Sequence, residues 1–109
     1  MRPPFVIGPV ALTTGSQTIF TAPEGMRLST ILVTNTTAGT LTVTFSHVPA
    51  GVTPATVHQI LSAQAILAND GFYLVLDLPI FIGDTLLAQA SNTGLNFRGI
   101  ESRSSTMTF

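Results

Sequence analysis

The chain has two histidines, His47 and His58, eleven positions apart, and three aspartates downstream of its Pro/Gly-rich middle, Asp70, Asp77 and Asp84. These are the residue types that hold a metal ion or move a proton. Their spacing argues against both roles. Short-range metal sites put two imidazoles on one surface through a tight H-x-x-x-H step, and the run from Val48 to Pro54 separates the two rings instead. The expectation is therefore one histidine at a strand end and one on the flank of a loop. Ligand and general-base roles are minor alternatives. A Ser-His-Asp triad assembles from any chain order, but no G-x-S-x-G elbow is present to expose a nucleophile. Asp77 and Asp84 fall near opposite ends of a strand–turn–strand unit, which does not make a facing pair of carboxylates. Gly83-Asp84 reads as turn chemistry, with Gly supplying the backbone and Asp bonding nearby amides. No glycine-rich phosphate loop occurs, and with no cysteine there is neither a thiolate metal site nor a cysteine nucleophile. No catalytic residue, metal ligand or cofactor is assigned, and the expectation is a protein that is not an enzyme.

The elements that would position such residues are β throughout. Phe5 to Leu12 is apolar, with Gly8 and Pro9 marking an edge or a bulge. Gln17 to Thr21 is a short strand, closed by the turn Ala22-Pro23-Glu24-Gly25. Met26 to Asn35 is a long β-branched stretch. Its alternation sets Leu28, Thr30, Leu32 and Thr34 against Ile31, Val33 and Asn35. Thr40 to His47 alternates cleanly, with Leu41, Val43 and Phe45 facing one way and hydroxyls the other. Across Thr36-Thr37-Ala38-Gly39, these two segments read as a β-hairpin.

Thr53-Pro54 starts at most one helical turn, and the chain then runs extended through Ile60 and Ile66. Asn69-Asp70-Gly71 is a turn. Phe72 to Leu78, Thr85 to Ala90 and Leu95 to Glu101 complete about eight short strands, with turns at Gly83-Asp84 and Ser91-Asn92-Thr93-Gly94. This spacing predicts a single all-β domain over residues 1–109, an antiparallel β-sandwich of jelly-roll type. Leu28, Leu32, Val43, Phe45, Leu74, Leu76 and Phe97 are the expected core. Residues 1–11 form an N-terminal arm or edge strand, and residues 102–109 a C-terminal tail.

Composition narrows the partners. Of 109 residues, 45% are hydrophobic but only 8% are charged, against about 25% in an ordinary soluble domain. Lysine is absent, and the four arginines stand against five acids for a net charge of −1. That balance excludes disorder. It also disfavours nucleic-acid binding through phosphate neutralisation. No apolar run reaches the roughly 18 residues that a membrane span requires. The N-terminal apolar stretch is broken by Pro3, Pro4 and Pro9 and reads as mature chain rather than a signal peptide.

A small domain exposes much of its surface. Here threonine (17) and serine (8) must cover much of it. Sparse charge points to a surface contacted by other chains. Candidate assembly contacts are Arg2, Phe5, Arg27, Phe81, Arg98, Arg103, Met107 and Phe109. The arginines suit interfaces through their planar, weakly hydrated forks. Phe81 lies in a turn and Phe109 at the chain end, where contact with a neighbouring chain explains an aromatic better than a sugar platform does. Without Trp, and with Tyr73 as the single Tyr, a carbohydrate-binding module is a lesser alternative.

The run Ser16-Gln17-Thr18-Ile19-Phe20-Thr21-Ala22-Pro23-Glu24-Gly25, followed by Ile31-Leu32-Val33-Thr34-Asn35-Thr36-Thr37, resembles small structural proteins of tailed-bacteriophage virions. So do Val48-Pro49-Ala50-Gly51 after a Thr-rich strand, and Gly83-Asp84-Thr85-Leu86 leading to Gly99-Ile100-Glu101. The resemblance spans roughly residues 12–101 and rests on strand ends and turns. Within that group the chain is most similar to capsid decoration (cement) proteins. The resemblance implies a homo-oligomer, often a homotrimer, bound across subunits of the major capsid protein. It also implies a place on the outer surface of the capsid, reached from the host cytoplasm during assembly. A tail, collar or fibre component is the alternative.

Overall fold

The structure, a computed structural model, describes residues 6–102. Eight strands follow in order: β1 (Val6–Ala11), β2 (Gln17–Thr21), β3 (Met26–Asn35), β4 (Leu41–Val48), β5 (Gln59–Ile66), β6 (Gly71–Ile80), β7 (Thr85–Ala90) and β8 (Leu95–Ser102). A single 3-10 turn at Thr56–His58 precedes β5: one helical turn, as expected, but it begins after Ala55 rather than at Thr53-Pro54. The strands form two four-stranded antiparallel sheets, ordered β1-β8-β3-β6 and β2-β7-β4-β5. Their inner faces meet as in a sandwich.

Alternation decides which side chains fill the space between the sheets. Val43 and Phe45 of β4, Leu86 and Ala88 of β7, and Leu95 and Phe97 of β8 are all buried. Phe45 from one sheet stacks on Phe97 from the other, with ring centroids 5.1 Å apart and planes 28° from parallel. Each ring is fully buried, worth about 2–3 kcal/mol of apolar transfer. Leu28, Val43, Phe45 and Phe97 are core as expected. Leu74 and Leu76 pack against it only partly buried.

Two expectations fail. Met26 to His47 is not a hairpin: β3 pairs with β6 and β8, whereas β4 pairs with β5 and β7 in the other sheet. The connection is an arch, and the buried Asn35 side chain builds it. Asn35 Nδ2 donates to the Gly39 and Ile66 carbonyls at 2.8 and 3.0 Å. Its Oδ1 accepts from the Thr37 amide and hydroxyl at 2.9 and 2.7 Å. Thr36 N–H goes to the Gly94 carbonyl, and Thr37 carbonyl accepts from Asn69. These bonds pull residues 36–39 over the end of the sandwich instead of closing a ladder between β3 and β4.

The second failure is the phase of β3. The register shifts between Leu28 and Thr30 against both neighbouring strands. A one-residue irregularity reverses which face a side chain takes. Leu28 therefore shares the inner face with Ile31, Val33 and Asn35, all buried. Thr30, Leu32 and Thr34 lie on the outer face, half-buried. Leu32 is thus not a core residue.

In β1 the register shifts between Ile7 and Val10, which places the Gly8-Pro9 irregularity on an edge strand as the sequence suggests. Gly8 has φ +82°, and a Cβ there would lie 2.5 Å from the Phe97 carbonyl oxygen. Only glycine allows that approach.

Asn35→Ala removes every side-chain bond in the arch. It should cost about 2–3 kcal/mol, because buried partners are left unmet. Chemical denaturation of the variant checks this. A loss below about 0.5 kcal/mol, the range of an ordinary surface substitution, contradicts the role given to Asn35.

Candidate functional site

His47 and Asp84 meet where the end of β4 faces the β6–β7 turn. His47 Nε2–H donates to Asp84 Oδ2 at 2.8 Å. The buried carboxylate also accepts from the Ala50 amide (Oδ1, 2.9 Å) and the Phe81 amide (Oδ2, 3.0 Å). The turn itself closes from Asp84 N–H to the Phe81 carbonyl at 3.0 Å, with Gly83 at φ +87°. Positive φ at the third position of such a turn selects glycine. Ala22 adds two backbone bonds, giving its amide to Asp84 and accepting from Gly83, each at 2.9 Å.

Burial opposes ionisation of Asp84. The Phe81 amide, the His47 ring, the Ala50 amide and the field of His47 outweigh it, so the carboxyl sits below the ordinary aspartate value. Its acceptor oxygens are committed to three neighbouring elements. Among the described residues no hydroxyl hydrogen-bonds to His47. His58, the other histidine, accepts the Ala55 amide at Nδ1, 3.0 Å, and so closes its own 3-10 turn. Among the described residues no three His, Asp or Glu side chains gather as a metal-holding group. The geometry of Asp84 is that of a clamp: it fixes one tip of the molecule.

That tip displays two apolar side chains. Phe81 and Ile82 are 67% and 68% exposed, although the backbone beneath them is braced by the bonds above. Rigidly held, exposed apolar groups suit docking because little entropy is lost when they are covered.

A second apolar surface lies on the outer face of the β1-β8-β3-β6 sheet. Val6, Ile100, Thr30 and Val75 form one row across all four strands by register. Arg98, Leu32 and Tyr73 form the adjacent row. Val6, Ile100, Val75 and Tyr73 are exposed. This face also carries three charged side chains, Arg27, Asp77 and Arg98. Arg27 grips Asp77 with two bonds, Nε to Oδ1 at 2.7 Å and Nη2 to Oδ2 at 3.0 Å. The hydrogen bond and charge of Asp77 raise the Arg27 pKa. Arg27's hydrogen bond, with its charge, in turn lowers the Asp77 pKa against desolvation. Arg98 is exposed and pairs with no acid among the described residues.

The outer face of the other sheet differs. It carries two shallow depressions of about 180 and 140 Å3, lined by uncharged groups such as Thr42, Thr44, Ser46, Gln59 and Gln89.

Of the residues singled out from the sequence, Phe81 is at the exposed tip, Arg27 is held by Asp77, and Arg98 stands on the apolar sheet face. Arg27 lies opposite Pro79, two residues before Phe81, whereas Arg98 lies farther along the sheet, opposite Leu32. Arg2, Phe5, Arg103, Met107 and Phe109 lie outside the described residues. Sequence reasoning missed Ile82, Tyr73, Val75 and Ile100. For β6 a signal was present: both phases of its alternation are apolar from Phe72 to Leu76, which a half-buried strand does not require.

Replacing Asp84 by Ala leaves two amides and an imidazole unmatched, and should cost about 3 kcal/mol at pH 7. The lowered pKa sets the pH dependence. The clamp's contribution is present above the unfolded value of about 4 and is lost as pH falls through the lower folded value. The gap between wild type and D84A in urea denaturation should therefore shrink on acidification below about pH 4. A gap that widens there contradicts the clamp.

Among helices of the described residues, none is long and apolar enough to cross a membrane. Comparison of the chain with protein-family models, with curated proteins and with solved structures finds no match.

Proposed function

We propose that this chain is a non-enzymatic structural protein of a tailed-bacteriophage virion. In this reading it is a decoration protein that self-associates and binds across subunits of the major capsid protein on the outside of the head. The observation that carries the proposal is the exposed apolar surface on a braced β frame: the Phe81–Ile82 tip and the Tyr73/Val75/Ile100 face. The low charge of the chain as a whole, 8% of its residues, and the resemblance of the strand ends and turns support the same reading.

The mechanism is mechanical. Apolar area buried across a junction contributes about 25 cal/mol per Å2 removed from water, before the cost of association. Each copy thereby opposes the separation of the subunits it bridges, which resists pressure from packaged DNA. The protein provides this through shape and contact area, so neither a nucleophile nor a cofactor enters the reading.

We further propose that the sandwich is of jelly-roll type. Supporting this, each sheet mixes strands from both halves of the chain, in the orders β1-β8-β3-β6 and β2-β7-β4-β5. Eight strands in two interleaved Greek keys give such an order.

Purified particles from the source phage should carry the protein in hundreds of copies. A handful per particle would assign it to the tail, collar or fibre. The double variant F81S/I82S should keep its unfolding midpoint but lose at least tenfold in affinity for undecorated heads, as expected when two apolar anchors are truncated. Unchanged binding would remove the tip from the contact.

A further inference from the structure

The core of the sandwich is incompletely closed along one side. On β3 the inward residues Leu28, Ile31 and Val33 are fully buried, yet on the adjacent edge strand β6 the inward Phe72, Leu74, Leu76 and Leu78 are all only partly buried. The outward Tyr73 and Val75 of that strand are 67% and 69% exposed. Apolar side chains are therefore open to water on both faces of β6, beside an edge that no strand of the described residues pairs with.

The backbone of that edge is open too. Asn35 N–H donates to the Asp70 carbonyl at 2.8 Å, so the backbone groups of Asp70 point at β3. Groups alternate along an antiparallel strand. Phe72 and Leu74 therefore also turn theirs to β3, and Tyr73 and Val75 turn theirs to the open edge. The apolar stretch from Gly71 to Leu76 is a template for another strand: it carries no charge and no proline, and the strand's two guards, Asp77 and Pro79, lie beyond it. The one charge on the strand, Asp77, is already matched by Arg27.

We propose that β6 pairs antiparallel with β6 of a second copy, about a two-fold axis beside Leu74, joining two four-stranded sheets into one continuous sheet. In this register Tyr73 faces Val75 of the other copy on the outer side, and Leu74 faces its own equivalent on the inner side. Phe72 faces Leu76, so the half-open core residues cover one another. The amide and carbonyl groups of Tyr73 and Val75 find partners. Polar groups match as well: Tyr73 lies diagonal to Asp77 of the other copy, within reach of an aromatic side chain. Its hydroxyl donates to that carboxylate, and its ring lies beside the Arg27 that holds it. An isologous contact of this kind closes on itself and yields a dimer rather than a filament. The proposal is independent of any role on a capsid and is tested on the purified full-length chain alone.

Sedimentation velocity over a range of concentrations should show a monomer–dimer equilibrium. Val75→Pro removes an N–H that points at the open edge, so it breaks no bond to β3 but removes two central bonds from the dimer. It should raise the dimer dissociation constant about 30-fold. Should V75P fail to fold, a cysteine cross-link gives a second measurement. The native chain has no cysteine, and facing residues across the axis lie about 4.5–5.5 Å apart, within disulfide range. Leu74→Cys should therefore form a disulfide-linked dimer under mild oxidation, and Val57→Cys, on an exposed turn, should not. A wild-type chain that stays monomeric at high concentration overturns the proposal. So does an oligomer of any size that is unmoved by V75P, or one that leaves L74C no more cross-linked than V57C.

Discussion

The packing of one sheet against the other is the interaction on which the molecule rests, and the Phe45–Phe97 stack lies at its centre. A chain of 109 residues with nine charged groups has few other sources of order. It has no disulfide to limit the unfolded ensemble and few ion pairs to fix its surface. The inward faces of β3, β4, β7 and β8 must therefore be apolar and close-packed, because cores of small domains leave little stability to spare. Once these four strands are central, the remaining four become edges, and the character of each edge follows.

Buried polar groups then do what surface charge does elsewhere. Asn35 and Asp84 are each buried and each saturated, one by carbonyls and a threonine, the other by two amides and a histidine. Both sit at places where the chain leaves one sheet for another or turns back. A satisfied buried polar group is specific: only one backbone path meets its directional needs. Asn35 selects the arch over the hairpin, and Asp84 locks the turn that carries Phe81 and Ile82. Local hydrogen-bond geometry and overall topology are thus joined at single side chains.

The outer surfaces divide into kinds. One sheet presents hydroxyls and amides and is at ease in water without charge. The other presents Tyr73, Val75, Ile100 and Leu32 around the Arg27–Asp77 pair and Arg98, which pairs with no acid among the described residues. A protein whose outer sheet face and tip are apolar, while its frame is braced, is suited to contact with other protein surfaces more than to chemistry on a small molecule. The decoration reading rests on the tip and the outer sheet face, the β6 pairing on the open backbone edge and the half-buried inner side chains of that strand; Tyr73 and Val75 belong to both.

Strand positions were legible from period-two alternation and from Gly, Pro and Asx punctuation. The strands at Gln17–Thr21 and Met26–Asn35 fall where the residues place them, and Gly83-Asp84 is the turn its chemistry predicts. Alternation is local, so it could not tell that β3 slips phase at Ser29, which moved Leu32 out of the core and Leu28 into line with Ile31. Nor could it tell which strands become neighbours. A five-residue connection permits a hairpin or an arch, and the choice was made by Asn35 reaching Ile66, a partner 31 positions away. The scarcity of charge gave only the expectation of contact with other chains; which apolar side chains of β6 stay exposed appeared once that strand was placed at an edge, because exposure is a property of neighbours and not of the residue itself.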